Sequence, residues 1–252
     1  MERRSWLMRR IIDCSMLVSN ETWRPRWLVN FGVRQAEKSV EVEGVKLRPQ
    51  HTYMHMSVHC ATHIDSPLHV IDGGPIIADI PIENCFGEAA VVDLTDIGEL
   101  HPITAQDMEQ RGKHVREGDI VLLKTGWTEK NAKGNTEKME GLPADVNYWN
   151  KGPYPTRSMA EWMVKKKVKA VGFDCPNECT QYMDKAYECT RTGPHPQLKD
   201  EHVHRIHLSH GILAIEFLCN LTAIKKDRVM FFAVPLKIKA EGAPIRAFAI
   251  EE

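Results

Sequence analysis

Short apolar runs rich in β-branched residues set the strongest limit on how this 252-residue chain can fold. Runs of this length, bounded by Gly, Pro, Asp or Asn, are typical of β-strands. Several are apolar at successive positions, so both faces of the strand must be buried, which favours a sheet covered on both sides. The predicted strands are residues 89–94, 119–124, 168–173, 211–217, 229–238 and 246–250.

Two capping boxes predict helices between these strands. Thr104 with Asp107 marks the start of one helix, and Ser158 with Glu161 marks the start of another. The predicted helices cover residues 104–111 and 158–167. The chain is therefore expected to contain many strands and few helices.

The polar stretches of the sequence do not divide it into domains. Residues 128–156 are polar and rich in Gly and Pro, which predicts a long loop or insertion over one end of the sheet. A second polar stretch covers residues 180–201. Neither has the charge bias or low complexity of a free linker, so residues 1–252 are predicted to form a single domain.

Composition excludes several classes of partner. The chain has 33 Lys and Arg against 34 Asp and Glu, interspersed, so it offers no basic surface for nucleic acid or an anionic membrane. No apolar run approaches the roughly 18 residues of a membrane span, and arginines interrupt the N-terminal runs where a signal peptide would need a continuous core. The seven cysteines are odd in number and form no C-x-x-C pair, which favours reduced thiols. We expect a cytoplasmic protein that acts on a small-molecule substrate.

The histidines are concentrated in two places. Nine of the twelve lie within residues 51–69 and 202–210. Neutral imidazole is the commonest metal ligand in proteins and a ready proton carrier near neutral pH, so chemistry is expected at these two windows. His51 and His55, at the start of the first window, are interpreted as ordinary structural or surface residues.

The first window contains the pattern H-x3-H-x-D-x3-H over residues 59–69. In a helix, at 100° per residue, Asp65 would lie about 200° from His63 and could not share a cation with it. In an extended backbone the two side chains point the same way, and Pro67 favours that conformation because it disfavours helix at Ser66. Two imidazoles and a carboxylate suit Zn²⁺, Mn²⁺ or Fe²⁺ and leave open coordination positions.

The second window leads into an apolar strand that contains Glu216. A carboxylate within the sequence ILAIEFL is costly to bury unless it binds a metal, pairs with a cation or accepts hydrogen bonds. A metal-side role and a structural ion pair both remain open for Glu216. His204 or His202 could reach the same place from the turn that precedes the strand.

Aromatic residues near the N-terminus suggest a substrate site. Trp23 and Trp27 flank Arg24-Pro25-Arg26, and with Trp127 or Trp149 they could form an aromatic wall beside a cation that binds a substrate carboxylate. Packing in a core explains tryptophans equally well.

These motifs together resemble a known family, the cyclase-like metal-dependent hydrolases that include bacterial kynurenine formamidase and isatin hydrolase. The family signature looks like HxGTHxDxPxH and here reads HCATHIDSPLH. The resemblance continues in residues 12–15, 118–127, 168–174, 216–221, 235–238 and 243–247.

The resemblance implies an α/β fold of the swivelling β/β/α type, with a mixed, barrel-like β-sheet and few helices. It implies one or two divalent ions, Mn²⁺ or Zn²⁺, with His69 as the catalytic histidine. It also implies a homodimer or homotetramer in which loops of one subunit lie near the neighbour's site. The metal ligands implied are His59, His63, Asp65, His204 and Glu216.

The activity implied is hydrolysis of a C–N bond in a small amide or cyclic amide, of the aryl formamide or lactam type. Metal-activated water would attack, and His69 would serve as general acid and base. Two departures bear on the substrate more than on the metal: Ala61 replaces the glycine of the signature, and residues 174–178 depart from the family's D-x-P-S-x-D. A metal-dependent lyase or dehydratase, or a catalytically inactive metal-binding homologue, are the alternatives.

Overall fold

The protein is analysed as a computed structural model that describes residues 9–19, 29–131, 148, 151–178 and 202–252. The strands are β1 (Arg10–Asp13), β2 (Val29–Gln35), β3 (Val40–Val42), β4 (Val45–Leu47), β5 (Gln50–Met56), β6 (His63–Asp65), β7 (Phe86–Asp93), β8 (Pro102–Ile103), β9 (Ile120–Lys124), β10 (Tyr154–Pro155), β11 (Ala170–Phe173), β12 (Leu213–Glu216), β13 (Arg228–Phe232), β14 (Gly242–Pro244) and β15 (Phe248–Glu251). The described helices are α1 (Ala105–Arg111), α2 (Trp127–Asn131), α3 (Arg157–Lys166) and α4 (His202–Ser209).

Within the described residues, nine strands form one mixed sheet in the order β1-β15-β13-β7-β9-β11-β12-β6-β14. The four central strands, β7, β9, β11 and β12, run parallel to one another. The strands on either side of them pair antiparallel. This mixed sheet with few helices confirms the predicted fold class.

The central strands bury both faces, as their continuous apolar sequences predict. In β9, Val121 and Leu123 pack in a core shared with Met163 of α3, so helices cover that face. The neighbouring residues Ile120 and Leu122 pack in a second core that includes residues of β1, β13 and β15. Alternate residues of one strand therefore enter two different cores.

The helix starts confirm one of the two predicted capping boxes. The Thr104 side chain accepts from the backbone N–H of Asp107, whose carboxylate accepts from that of Thr104, so α1 begins as predicted. The cap predicted at Ser158 is wrong. Thr156 caps α3 two residues earlier, and Glu161 instead pairs with Arg157 at 2.7 Å.

Three other expectations need correction. The turn expected at His204 is the helix α4, because Val203 and Ile206 form a buried stripe on it. The loop expected over residues 128–156 begins within α2 and ends with β10, while 132–147 and 149–150 lie outside the described residues. The strand expected over 229–238 ends at Phe232.

Among the described residues no helix is long and apolar enough to cross a membrane.

Residues 29–56 form a two-stranded extension, here named the β-arm, that the sequence analysis did not predict. Strand β2 pairs with β5, and β3 pairs with β4, which places Val42 opposite Val45 and Val40 opposite Leu47. The turn at its tip consists of Glu43 and Gly44, both with positive φ. The large apolar residues exposed along the β-arm are Val33, Val40, Val42, Val45, Leu47, Tyr53 and Met54.

Candidate metal centre

Strand β6 carries the first two side chains of the centre. It lies between β12 and β14, with His63 opposite Glu216 and Asp65 opposite Ala214. Because side chains alternate along a strand, His63 and Asp65 point to the helix-covered face while Ile64 enters the other core. The extended backbone expected for this segment is therefore confirmed.

A short turn brings the last histidine of the motif back to the same place. Ser66 is extended, with ψ of 165°, and Pro67 opens a 3₁₀ turn that ends at His69. The His69 ring lies 4.2 Å from that of His59 and 5.3 Å from that of His204, measured between centroids. His69 is thus held between the two histidine windows.

Imidazoles surround the buried carboxylate of Asp65. Its Oδ1 lies 2.9 Å from Nδ1 of His59 and 3.4 Å from Nε2 of His63. Its Oδ2 lies 3.7 Å from Nε2 of His204. Neither oxygen accepts a hydrogen bond from the part of the chain that the structure describes. A fully buried carboxylate without hydrogen bonds, in contact with ring nitrogens, has the donor set that a divalent cation requires.

The ligand atoms form two overlapping groups that share Asp65. Those of His59, Asp65 and His69 lie within 4.8 Å of one another, and so do those of His63, Asp65 and Glu216. Nε2 of His204 lies 2.9 Å from Oε1 of Glu216 and so belongs beside the second group. The structure therefore brings together all six residues that the sequence analysis assigned to metal and catalysis.

The histidine rings at the centre differ in pKa. Burial opposes a charge on His63, but the Asp65 carboxylate outweighs it and raises the pKa of His63 to about 9. Burial likewise opposes the charge on Asp65. The nearby His63, more than any other group, nevertheless holds the pKa of Asp65 well below its usual range. Burial lowers the pKa of His69 to about 4, so this ring is neutral near pH 7.

The rings around Asp65 each have an acceptor behind them. Such outer partners orient metal-binding histidines and select the tautomer that leaves the inner nitrogen free. Glu241 and Glu178 have no sequence pattern that predicts this role, because they reach the centre only through the tertiary fold. The outer contacts are Glu241 Oε1 at 3.2 Å from His59 Nε2, Ala61 O at 2.8 Å from His63 Nδ1, and Glu178 Oε1 at 3.2 Å from His204 Nδ1.

The threonine of the motif joins three segments. Thr62 is buried, and its hydroxyl donates to the carbonyl of Phe217 at 2.7 Å and accepts from the N–H of Met16 at 2.8 Å. Phe217 itself stacks on the His63 ring, with centroids 5.7 Å apart. The hydroxyl thereby fixes the start of β6 against the end of β12.

The departure at residues 174–178 places polar side chains at the centre. The Asp174 carboxylate accepts from the backbone N–H groups of Thr125 and Gly126, and burial raises its pKa to about 7. Its neighbours Asn177 and Glu178 are also buried, and both contact His204. This segment therefore shapes one side of the centre.

Of the four tryptophans considered for an aromatic wall, Trp127 lies within the described residues. Trp127 packs in the helix-covered core and donates from Nε1 to the carbonyl of Tyr148 at 2.9 Å, so the packing interpretation applies to Trp127. Trp23, Trp27 and Trp149 lie outside the described residues.

The chain is similar in sequence to known proteins. A family model described as putative cyclase matches residues 12–178. Kynurenine formamidase of Bacillus cytotoxicus is 25% identical over 193 residues, covering 76% of each chain, and that of Erythrobacter litoralis is 27% identical over 187 residues, covering 73% of this chain and 69% of the relative.

Solved structures share the fold. Isatin hydrolase A from Ralstonia solanacearum superposes with a TM-score of 0.70 at 21% identity, covering 97% of this chain and 92% of that one. Isatin hydrolase A from Labrenzia aggregata, bound to benzyl benzoate, gives 0.66 at 19% identity, covering 96% and 93%. Since the family match extends over well more than half of its length, the chain belongs to the putative cyclase family.

Proposed function

We propose that this protein is a metal-dependent hydrolase that cleaves the C–N bond of a small amide or cyclic amide. The observation that carries the proposal is Asp65, whose two buried oxygens accept no hydrogen bond from described residues while three ring nitrogens face them. Relatives named kynurenine formamidase and isatin hydrolase favour an aryl formamide or a lactam as the substrate. Trp23 and Trp27 remain proposed substrate contacts.

The proposed cofactor is Mn²⁺ or Zn²⁺, one or two ions in each subunit. His59, His63 and Asp65 would hold one ion, and Asp65, His204 and Glu216 would hold a second. A bound divalent cation supplies Lewis acidity and lowers the pKa of a water molecule to about 7.

His69 would perform the proton transfers. Its low pKa keeps the ring neutral near pH 7, so a nitrogen is free to accept a proton from the attacking water. The ring lies between His59 and His204, next to both proposed cation positions. After the tetrahedral species forms, the protonated ring would donate to the leaving nitrogen, which completes cleavage of the C–N bond.

The decisive experiment combines metal analysis with turnover. Protein purified without added metal would be assayed by elemental analysis, then tested with Mn²⁺ or Zn²⁺ on aryl formamides, lactams and lactones. Activity that needs the metal and is lost in His63→Ala is the expected result. Absence of turnover across the panel with metal bound would indicate an inactive homologue. Reaction in ¹⁸O-labelled water separates the lyase alternative, because only hydrolysis transfers the label to product.

We also propose that the protein assembles as a homodimer or homotetramer through the β-arm. A two-stranded ribbon is at best marginally stable alone in water, and this one exposes seven large apolar side chains. Exposed apolar surface of this kind is typical of protein–protein contacts. Closed homo-oligomers are the commonest assemblies of soluble proteins, so a second copy of the chain is the proposed partner.

A cytoplasmic location is proposed on the state of the thiols. The cysteines within the described residues are all unpaired and buried. Unpaired thiols are the rule in a reducing compartment. Cell fractionation with a tagged protein tests this location.

A further inference from the structure

Glu178 lies directly behind His204, on the side away from Asp65. Its Oε1 accepts from the backbone N–H of His204 at 2.8 Å and lies 3.2 Å from Nδ1 of the same residue. The two side chains are almost equally buried, at 9% and 10% exposed. One carboxylate oxygen thus fixes both the backbone and the ring of His204.

This contact determines which ring nitrogen faces the centre. A carboxylate can only accept, so Nδ1 of His204 must carry the hydrogen, and in the neutral ring Nε2 then carries a lone pair. Nε2 lies 2.9 Å from Oε1 of Glu216 and 3.7 Å from Oδ2 of Asp65. With no cation present, Glu216 requires a hydrogen on Nε2 as well. A bound cation would replace that hydrogen and take the Nε2 lone pair at the place where Asp65 and Glu216 also point.

Asn177 supports this assignment from the other side. Its Nδ2 lies 2.9 Å from Nε2 of His204 and also donates to Oε1 of Glu216. An amide N–H donates to a ring nitrogen only if that nitrogen has a lone pair. The amide therefore suits Nε2 in its deprotonated, cation-binding form, and Glu178 is the contact that fixes the hydrogen on Nδ1.

We propose that Glu178 is a positioning residue that prepares His204 to bind the cation shared with Asp65 and Glu216. The inference rests on the proposed metal-dependent function. Glu241 has the same relation to His59, but its side chain is 41% exposed, so solvent competes with that contact. A buried charge-assisted hydrogen bond is stronger than an exposed one. The Glu178 carboxylate therefore orients the His204 ring more firmly than the Glu241 carboxylate orients the His59 ring.

The test is a titration of metal-free, full-length protein with Mn²⁺ or Zn²⁺, in which isothermal titration calorimetry measures the affinity of each binding step. Loss of an outer partner typically weakens metal affinity by about 10–100-fold. Glu178→Ala should weaken one binding step by about this factor and leave the other unchanged. Glu178→Gln keeps the volume and an acceptor oxygen, so it should weaken the same step by less. Glu241→Ala, the matched control, should affect the other step.

A spectroscopic measurement separates positioning from general structural damage. With Co²⁺ as the probe, Glu178→Gln should alter the visible absorption of one bound ion only, in protein whose circular dichroism matches wild type. Unchanged affinity and spectrum in both Glu178 variants, or equal weakening of all binding steps, would overturn the inference. Wild-type protein that binds no cation would instead refute the proposed function itself.

Discussion

The carbonyl oxygen of Ala61 lies 2.8 Å from Nδ1 of His63, and it faces the ring because Ala61 has a left-handed backbone with φ of 57°. Glycine, the residue of the family signature, adopts this conformation without a steric penalty. For alanine the left-handed region costs about 1–2 kcal/mol. The centre therefore rests on a strained residue.

Ala61→Gly should relieve this strain. The larger conformational entropy of glycine in the unfolded chain offsets part of the gain, so the expected increase in the free energy of unfolding is at most about 1 kcal/mol. Urea denaturation of the metal-free protein measures it. A clear loss of stability, with the His63 contact retained, would contradict the assignment of strain to Ala61.

Thr62→Val should destabilise the protein by about 2–6 kcal/mol. The substitution removes the hydroxyl that bonds the buried N–H of Met16 and the buried carbonyl of Phe217, at about 1–3 kcal/mol for each buried group. Thr62→Ser keeps the hydroxyl and is the matched control. If Thr62→Val were as stable as Thr62→Ser, the two hydrogen bonds of the hydroxyl would not be the source of this stability.

The sequence could predict what depends on local patterns. The central strands follow from their apolar runs, and the shared direction of His63 and Asp65 follows from strand alternation. The start of α3 at Thr156 was missed because Ser158 with Glu161 offers an equally good local pattern. The helix α4 was missed because histidines and β-branched residues have low helix propensity, and packing against α3 decides its conformation.

Other features depend on contacts between distant segments. Glu178 and Glu241 are ordinary acids in sequence and become outer partners only when their loops pack against the centre. The β-arm was missed because its strands are short or interrupted, as β2 is by Gly32, and its apolar residues are exposed.

His69→Ala should lower kcat by about 10²–10⁴-fold, the usual worth of general acid–base catalysis, while metal content stays at the wild-type level. Elemental analysis beside steady-state kinetics on the active amide provides both values. Loss of metal in this variant would instead indicate that His69 is a ligand. The structure permits that role too, because a ring nitrogen of His69 lies within 4.8 Å of the ligand atoms of His59 and Asp65.

Metal affinity should rise with pH. The raised pKa of His63, about 9, means that this ring holds a proton that the cation must displace below that pH. One displaced proton gives up to about a tenfold gain in affinity for each pH unit, levelling off near pH 9. Competition titrations between about pH 6 and 8 measure the slope. An affinity independent of pH would show that His63 is already neutral.

The same proton should stabilise the metal-free fold. A raised folded pKa contributes stability that is fully present below the unfolded value of 6.5 and is lost as pH rises through about 9. Urea denaturation of metal-free protein across this range should therefore show falling stability. His63→Ala should reduce that dependence and leave the part due to His204, whose pKa is also raised: burial opposes its charge, but hydrogen bonds to Asp65, Glu178 and Glu216 outweigh it.

Val42→Lys should dissociate the proposed oligomer, because it introduces a charge into the exposed apolar tip of the β-arm. Lys46→Ser, on the opposite face of the same tip, is the control and should leave the assembly intact. Light scattering coupled to size-exclusion chromatography gives the mass. A wild-type protein that elutes as a monomer would refute assembly through the β-arm.

The position of β6 also bears on synthesis of the protein. Residues 63–65 pair with residues 214–216 on one edge and 242–244 on the other. Because a ribosome releases the N-terminal part first, this strand leaves the exit tunnel long before either neighbour exists. The centre can therefore be completed only after almost the entire chain has been translated, and a product truncated before β14 would leave one edge of β6 unpaired.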